Sequence, residues 1–425
     1  MNNSNIPSAY IITIGDELLI GQVINTNSSW LADQLTNTGI IVIKMLTVQD
    51  DEEAIIDALE EAGKNCDYVF ISGGLGPTID DITKKTIAKF MGVDMEFNPG
   101  FYEKVKAYVE KRGAKLDELM YNYSFFPKGI KYLKNDVGTA PGMSFCKYNC
   151  RYFSMPGVPS EMKSIFTNEI INALKSKMGE TKIVKKTLLT AGEMEASLAD
   201  KLKNIVVEMP ENVSIAYLPN LGRVRIRITC QADDHKSALD LNRKFIKQIE
   251  EELGDIIYGY EDDIFEEVIG KMLLENKLKL GTAESCTGGM VAHKITSVSG
   301  SSAYFRGSVV AYSNDIKMKI LNVMPETLRD HGAVSEQTVM QMVRGALEKL
   351  NCDVAIATSG IAGPTGGTVN KPVGTIWLAC GDYENIKAIR LQLGEDRLKN
   401  IETSTILALN MLRRYLIEKK QNTVS

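Results

Sequence analysis

Three short apolar runs, separated by amphipathic stretches, open this chain. That alternation restricts its fold more than any other feature. Residues 9–14 (Ala9-Tyr10-Ile11-Ile12-Thr13-Ile14), 40–46 and 68–72 are rich in β-branched and aromatic side chains and read as buried strands. Residues 28–35 and 52–64 between them have helical spacing, and 82–91 follows as another helix. Parallel strands need long crossover connections, and helices supply them. A strand–helix–strand–helix–strand succession therefore predicts a parallel α/β sheet covered on both faces. In such sheets ligands bind beyond the carboxyl ends of the strands.

Two loops fall at such ends. Gly15-Asp16-Glu17-Leu18-Leu19 follows the first strand. Gly73-Gly74-Leu75-Gly76-Pro77-Thr78-Ile79-Asp80-Asp81 follows the third. Glycines let a backbone come close to a phosphate. Carboxylates beside such a site suit Mg²⁺ or a similar hard cation, which offsets the repulsion between anions. The plainer alternative is that Asp80 and Asp81 cap the following helix. Two further loops, Thr139-Ala140-Pro141-Gly142 and residues 155–162, are turn-rich.

This first segment, residues 1–172, resembles the molybdopterin-binding domain of molybdenum-cofactor biosynthesis proteins. The motif from Gly73 to Thr83, with Ile14-Gly15-Asp16-Glu17-Leu18-Leu19 upstream, resembles more closely the N-terminal domain of the CinA family. The resemblance implies a metal-dependent pyrophosphatase acting on ADP-ribose. Its nucleotide-diphosphate pocket would be formed by Gly74, Gly76 and Thr78, with a divalent metal at Asp16, Asp80 and Asp81.

Residues 173–256 read differently. A strand at 184–189 and a helix at 193–205 precede two alternating runs that flank Pro219-Asn220-Leu221-Gly222, a hairpin signature. A long charged helix, 234–253, completes a β-α-β-β-α unit. It is similar to the family's KH-like domain, but lacks the Gly-x-x-Gly loop and basic surroundings of an RNA clamp. Arg223, Arg225 and Arg227 share one strand face, read as an ordinary solvated face. The domain is expected to be a spacer or lid.

Residues 257–425 return to α/β, with residues 258–263 read as a linker. Glycine loops at the ends of strands are the notable feature. An apolar run at 279–283 leads into Glu284-Ser285-Cys286-Thr287-Gly288-Gly289, and a helix-like run leaves it. A serine at a strand-to-helix corner can present its hydroxyl for attack. The corner's amides can attract an anion. Ser285 or Thr287 could instead simply cap the helix. A second corner, Thr358-Ser359-Gly360, ends the 353–359 strand.

The chain has three histidines, none well placed to take a proton from Ser285. A lysine with a pKa lowered by burial can do so, and Ser–Lys versions of the triad exist. Lys317 follows Tyr312 at the end of an apolar strand. On spacing alone, Tyr312 would cover a core edge and Lys317 would start a helix in solvent.

The runs Ala283 to Gly289, Ala311 to Lys317, His331 to Ser335 and Ser359 to Pro364 resemble, in order, the C-terminal CinA domain. That domain is a nicotinamide-nucleotide amidohydrolase, which converts nicotinamide mononucleotide to nicotinate mononucleotide and ammonia. The resemblance implies Ser285 as nucleophile, activated by Tyr312 and Lys317, with no cofactor. Amides near Cys286 and Thr287 would bind the oxyanion. The substrate phosphate would lie against Thr287, Gly288 and Gly289, or against Thr358, Ser359 and Gly360. Cys286 reads as packing.

Composition sets outer bounds. A chain of 425 residues suggests roughly two to four domains. Net charge is −5, with no basic block for a nucleic-acid surface. Seven scattered cysteines lack the paired spacing of a zinc site and read as reduced thiols. With no signal peptide and no bilayer-length apolar run, a cytoplasmic location is expected. Partners are expected to be small nucleotides, with a homodimer implied by the family. The rival reading is a nucleotide- or molybdopterin-binding regulatory protein with one or both domains inactive, linked to competence or DNA damage.

Overall fold

A computed structural model describes residues 6–78, 81–111, 118–178 and 183–424. They fall into two compact units, Met1–Val184 with Gln231–Ala238, and Lys185–Cys230 with Leu239–Ser425. No helix among the described residues is long and apolar enough to cross a membrane.

In the first unit six strands form one sheet. Their order is Ile41–Val48, Ser8–Ile14, Tyr68–Ser72, Cys150–Met155, Gly142–Lys147, Lys131–Leu133. The first four are parallel and the last two antiparallel. Side chains alternate along a strand. Tyr10, Ile12 and Ile14 thus share a core with Ile55 and Leu59, while Ala9 and Ile11 share another with Leu31 and Leu35. A strand buried on both faces must be apolar at successive positions, so its sequence shows no polar alternation. The antiparallel extension was not expected. Its hairpin turns through Tyr148 and Asn149, both at positive φ, and neither carries the glycine that would mark such a turn. Residues 16–19, expected as loop, form the short helix Asp16–Leu19.

In the second unit the small sheet runs Val213–Asn220, Arg223–Gln231, Ile183–Ala191, Ile257–Tyr260. The expected hairpin closes through Leu221 and Gly222, the glycine at φ +68. The first half of the expected linker belongs instead to a fourth strand, Ile257–Tyr260, with Ile257 opposite Thr190. Four residues are too few to show a pattern.

The larger sheet runs Phe305–Val310, Leu280–Glu284, Val354–Gly360, Thr375–Gly381, Ile386–Gln392. Its first three strands are parallel and its last two antiparallel. Leu280–Glu284 lies between two parallel neighbours, so the chain leaving Glu284 emerges where ligands bind in such sheets. The Arg397–Val424 helix packs Ile406, Leu409 and Leu412 into this core.

Candidate active site

Ser285 is the first residue past the Leu280–Glu284 strand. Its amide donates to the Thr358 carbonyl at 2.9 Å, and its own carbonyl accepts from the Gly288 amide at 3.2 Å. Gly288 and Gly289 have φ of +62° and +99°, which a side chain would oppose. They let the chain reverse at once into the Met290–Thr296 helix. Neither Ser285 nor Thr287 caps that helix. The amides of Gly289, Val291 and Ala292 donate to the Glu284 carboxylate at 3.0, 3.1 and 2.8 Å. Among the described residues, the amides of Cys286 and Thr287 donate to no carbonyl or side-chain oxygen.

Lys317 does not stand in solvent. Ser313 caps the Asn314–Leu321 helix, and Lys317 turns inward from its first turn, 1% exposed. Its Nζ lies 2.9 Å from Ser285 Oγ, 2.7 Å from the Ala311 carbonyl and 3.2 Å from the Tyr312 carbonyl. Burial holds its pKa below the usual lysine value. Tyr312 is 63% exposed rather than covering a core edge, and its hydroxyl accepts from Arg397 Nη2 at 3.1 Å. Its hydroxyl bonds neither Ser285 nor Lys317. Burial pushes the Cys286 thiol up to about 12, so it carries almost no thiolate near neutral pH.

At both expected phosphate loops, Thr287-Gly288-Gly289 and Thr358-Ser359-Gly360, polar groups already have partners within the chain. At Gly288-Gly289 the helix-start amides are taken by Glu284. Thr287 and Thr358 are buried, and their hydroxyls meet at 2.7 Å, with Thr287 also 2.7 Å from Glu284. The Ser359 hydroxyl donates to the Ala333 carbonyl at 2.7 Å. At Gly360 an added Cβ would sit 2.5 Å from Ile376, so glycine here answers a packing need. Arg397 joins the Tyr312 hydroxyl to the Gly363 carbonyl, the latter at 2.9 Å. Sequence reasoning missed Arg397 and the role of Glu284. Glu284 carried a signal, since an acidic residue between an apolar strand and a glycine pair is either exposed or matched to amides.

The first unit has a cavity of about 410 Å³ at its strand ends. Gly74 and Gly76 line it, with Gly15, Glu17, Asp50, Asp81, Tyr123 and Glu161. An added Cβ would meet Thr83 Oγ1 at Gly74, or the Asp81 carboxylate at Gly76. Asp81 accepts from the Gly76 amide at 2.8 Å, the Thr78 amide at 2.9 Å and the Thr78 hydroxyl. It therefore organises the glycine loop. Asp16 does not line the cavity. Its amide donates to Asp50 at 3.2 Å, and its carboxylate accepts from the Asp50 amide at 3.4 Å. Asp80 lies outside the described residues. No three acidic, cysteine or histidine side chains among the described residues form a ready metal cluster. The cavity's donors are all oxygens, which suits a hard cation that takes its remaining ligands from water and substrate phosphate.

Three family models match the chain in succession. A probable molybdopterin binding domain covers residues 10–176, the damage-inducible protein CinA KH domain 185–259, and the CinA C-terminal domain 262–416. The chain is 39% identical over 415 residues to the CinA-like protein of Cytophaga hutchinsonii, covering 97% of this chain and 99% of that one. It is 39% identical over 409 residues to that of Salinibacter ruber, covering 96% and 99%. It is also similar to the crystal structure of competence/damage inducible protein CihA from Agrobacterium tumefaciens, at 38% identity, TM-score 0.34, covering 35% of this chain and 94% of that one. Identity sustained over nearly the whole length, with all three domains in order, makes this chain a member of the CinA family.

Proposed function

We propose that the C-terminal domain hydrolyses the carboxamide of nicotinamide mononucleotide, giving nicotinate mononucleotide and ammonia. The observation that carries this reading is the 2.9 Å approach of Lys317 Nζ to Ser285 Oγ in a buried site. Ser285 Oγ attacks the carboxamide carbon while Lys317 takes its proton. The oxyanion would be met by the amides of Cys286 and Thr287. Lys317 returns the proton to the leaving nitrogen, ammonia departs, and an acyl-serine remains. Water then attacks, giving its proton through Lys317 to Ser285 Oγ and releasing the carboxylate.

For the N-terminal domain we propose ADP-ribose pyrophosphatase activity, supported by the glycine-lined, carboxylate-ringed cavity. A divalent cation there would neutralise phosphate charge. The chain's own part is to hold the glycine loop open through Asp81 and to present Glu17, Asp50 and Glu161 as oxygen donors. Assaying both reactions with and without EDTA tests the division. ADP-ribose hydrolysis should require the metal and be lost in Asp81→Ala, while ammonia release persists in both. Loss of both reactions in folded Asp81→Ala would contradict independent sites.

A further inference from the structure

Glu284 is fully buried, and no ion pair among the described residues includes it. Its charge is met instead by the three helix-start amides, by the Thr287 hydroxyl at 2.7 Å, and by Ser308 and Thr282 at 3.4 and 3.5 Å. A helix start left open would attract an anion. In a site proposed to hold a phosphorylated amide and to release a carboxylate, that would trap substrate or product in the wrong place. Glu284 fills the position from within the chain.

The same residue reaches the base. Its backbone carbonyl accepts from the Ala311 amide at 2.7 Å, and the Ala311 carbonyl accepts from Lys317 Nζ. Nucleophile and base are therefore referenced to one residue, through its side chain on one side and its main chain on the other.

We propose that Glu284 is a positioning residue for the serine hydrolase chemistry, holding the corner so that the Cys286 and Thr287 amides alone face the oxyanion. The proposal rests on the amidohydrolase reading above. It separates from a purely fold-stabilising role, because loss of positioning falls on kcat and on the reactivity of Ser285, not on substrate affinity.

The test compares Glu284→Gln, Glu284→Asp and Thr287→Val with wild type. It reads kcat and KM for ammonia release, and the rate at which an aryl sulfonyl fluoride labels Ser285. Glu284→Gln keeps the shape but turns one acceptor into a donor facing amide N–H groups. It should lower kcat about 100-fold with KM within about threefold, and slow labelling in parallel. Glu284→Asp, one methylene short, should not restore it. Thr287→Val should cost about tenfold in kcat. Wild-type kcat in Glu284→Gln, or a loss confined to KM, would overturn the proposal. If Glu284→Gln does not fold, unchanged kcat in Thr287→Val overturns it. A wild type that releases no ammonia sinks the amidohydrolase reading. Labelling of its Ser285 then decides, and labelling that is absent, or indifferent to Glu284→Gln, overturns the positioning role too.

Discussion

Lys317 Nζ stands 2.9 Å from Ser285 Oγ, and its two other partners are backbone carbonyls. A neutral amine has two hydrogens and one lone pair. In the proposed neutral form the carbonyls of Ala311 and Tyr312 would take the two hydrogens and leave the lone pair for the serine hydroxyl. No carboxylate pairs with Lys317 among the described residues, and burial holds its pKa below the usual lysine value.

Lys317→Met should therefore lower kcat for ammonia release by about 10³-fold, within the range of a lost general base. Lys317→Arg should not rescue it, because a guanidinium stays charged and has no lone pair to offer. Steady-state assays on folded variants check both. Activity of Lys317→Arg near wild type would argue for an electrostatic role instead.

The pH profile follows from the same geometry. In the proposed mechanism the active form carries neutral Lys317, so kcat/KM should rise with pH through the lysine's folded pKa, which lies below 10.5. The rising limb should vanish in Lys317→Met. A rate that falls as pH rises over that limb would reverse the assigned proton direction.

Tyr312→Phe tests whether that hydroxyl shares the base role. With the hydroxyl bonded to Arg397 and the side chain mostly exposed, its removal should cost about tenfold or less in kcat/KM. A loss equal to that of Lys317→Met would put Tyr312 in the proton path.

Lys84 in the first unit gives a stability prediction. It is 7% exposed, bonds the Tyr123 carbonyl at 2.7 Å, and lies 4.0 and 4.7 Å from the Tyr123 and Phe126 rings. Burial lowers its pKa to about 7. Between about 7 and the unfolded value of 10.5 the unfolded chain binds more protons than the folded one. Stability should thus rise with pH across that window, with the full cost present below it. Lys84→Met should flatten this rise and raise stability near neutral pH by about 1–3 kcal/mol. Thermal midpoints at two pH values within the window measure it, and a slope unchanged in Lys84→Met would contradict the assignment.

The parallel cores were legible because strands such as Ser8–Ile14 are apolar at successive positions, and helices such as Glu52–Asn65 announce themselves through an acidic cap and apolar residues at helical spacing (Ile55, Ala58, Leu59, Ala62). The Gly142–Lys147 and Ile257–Tyr260 strands were not, being set by a glycine-free turn and by pairing distant in sequence. At the serine corner the motif pointed to Ser285 and Lys317. It could not reveal that Lys317 folds inward, because helix position alone leaves a long side chain free to go either way. Nor could it reveal that Glu284 closes the helix start, since a carboxylate's burial depends on amides that exist only once the turn forms.

The most direct measurement is ammonia release from nicotinamide mononucleotide by wild type and Ser285→Ala in the presence of EDTA. Release that persists with EDTA and disappears in Ser285→Ala, while the variant still hydrolyses ADP-ribose when metal is restored, is the predicted result. No release from folded wild type, or undiminished release from Ser285→Ala, would contradict a serine–lysine amidohydrolase.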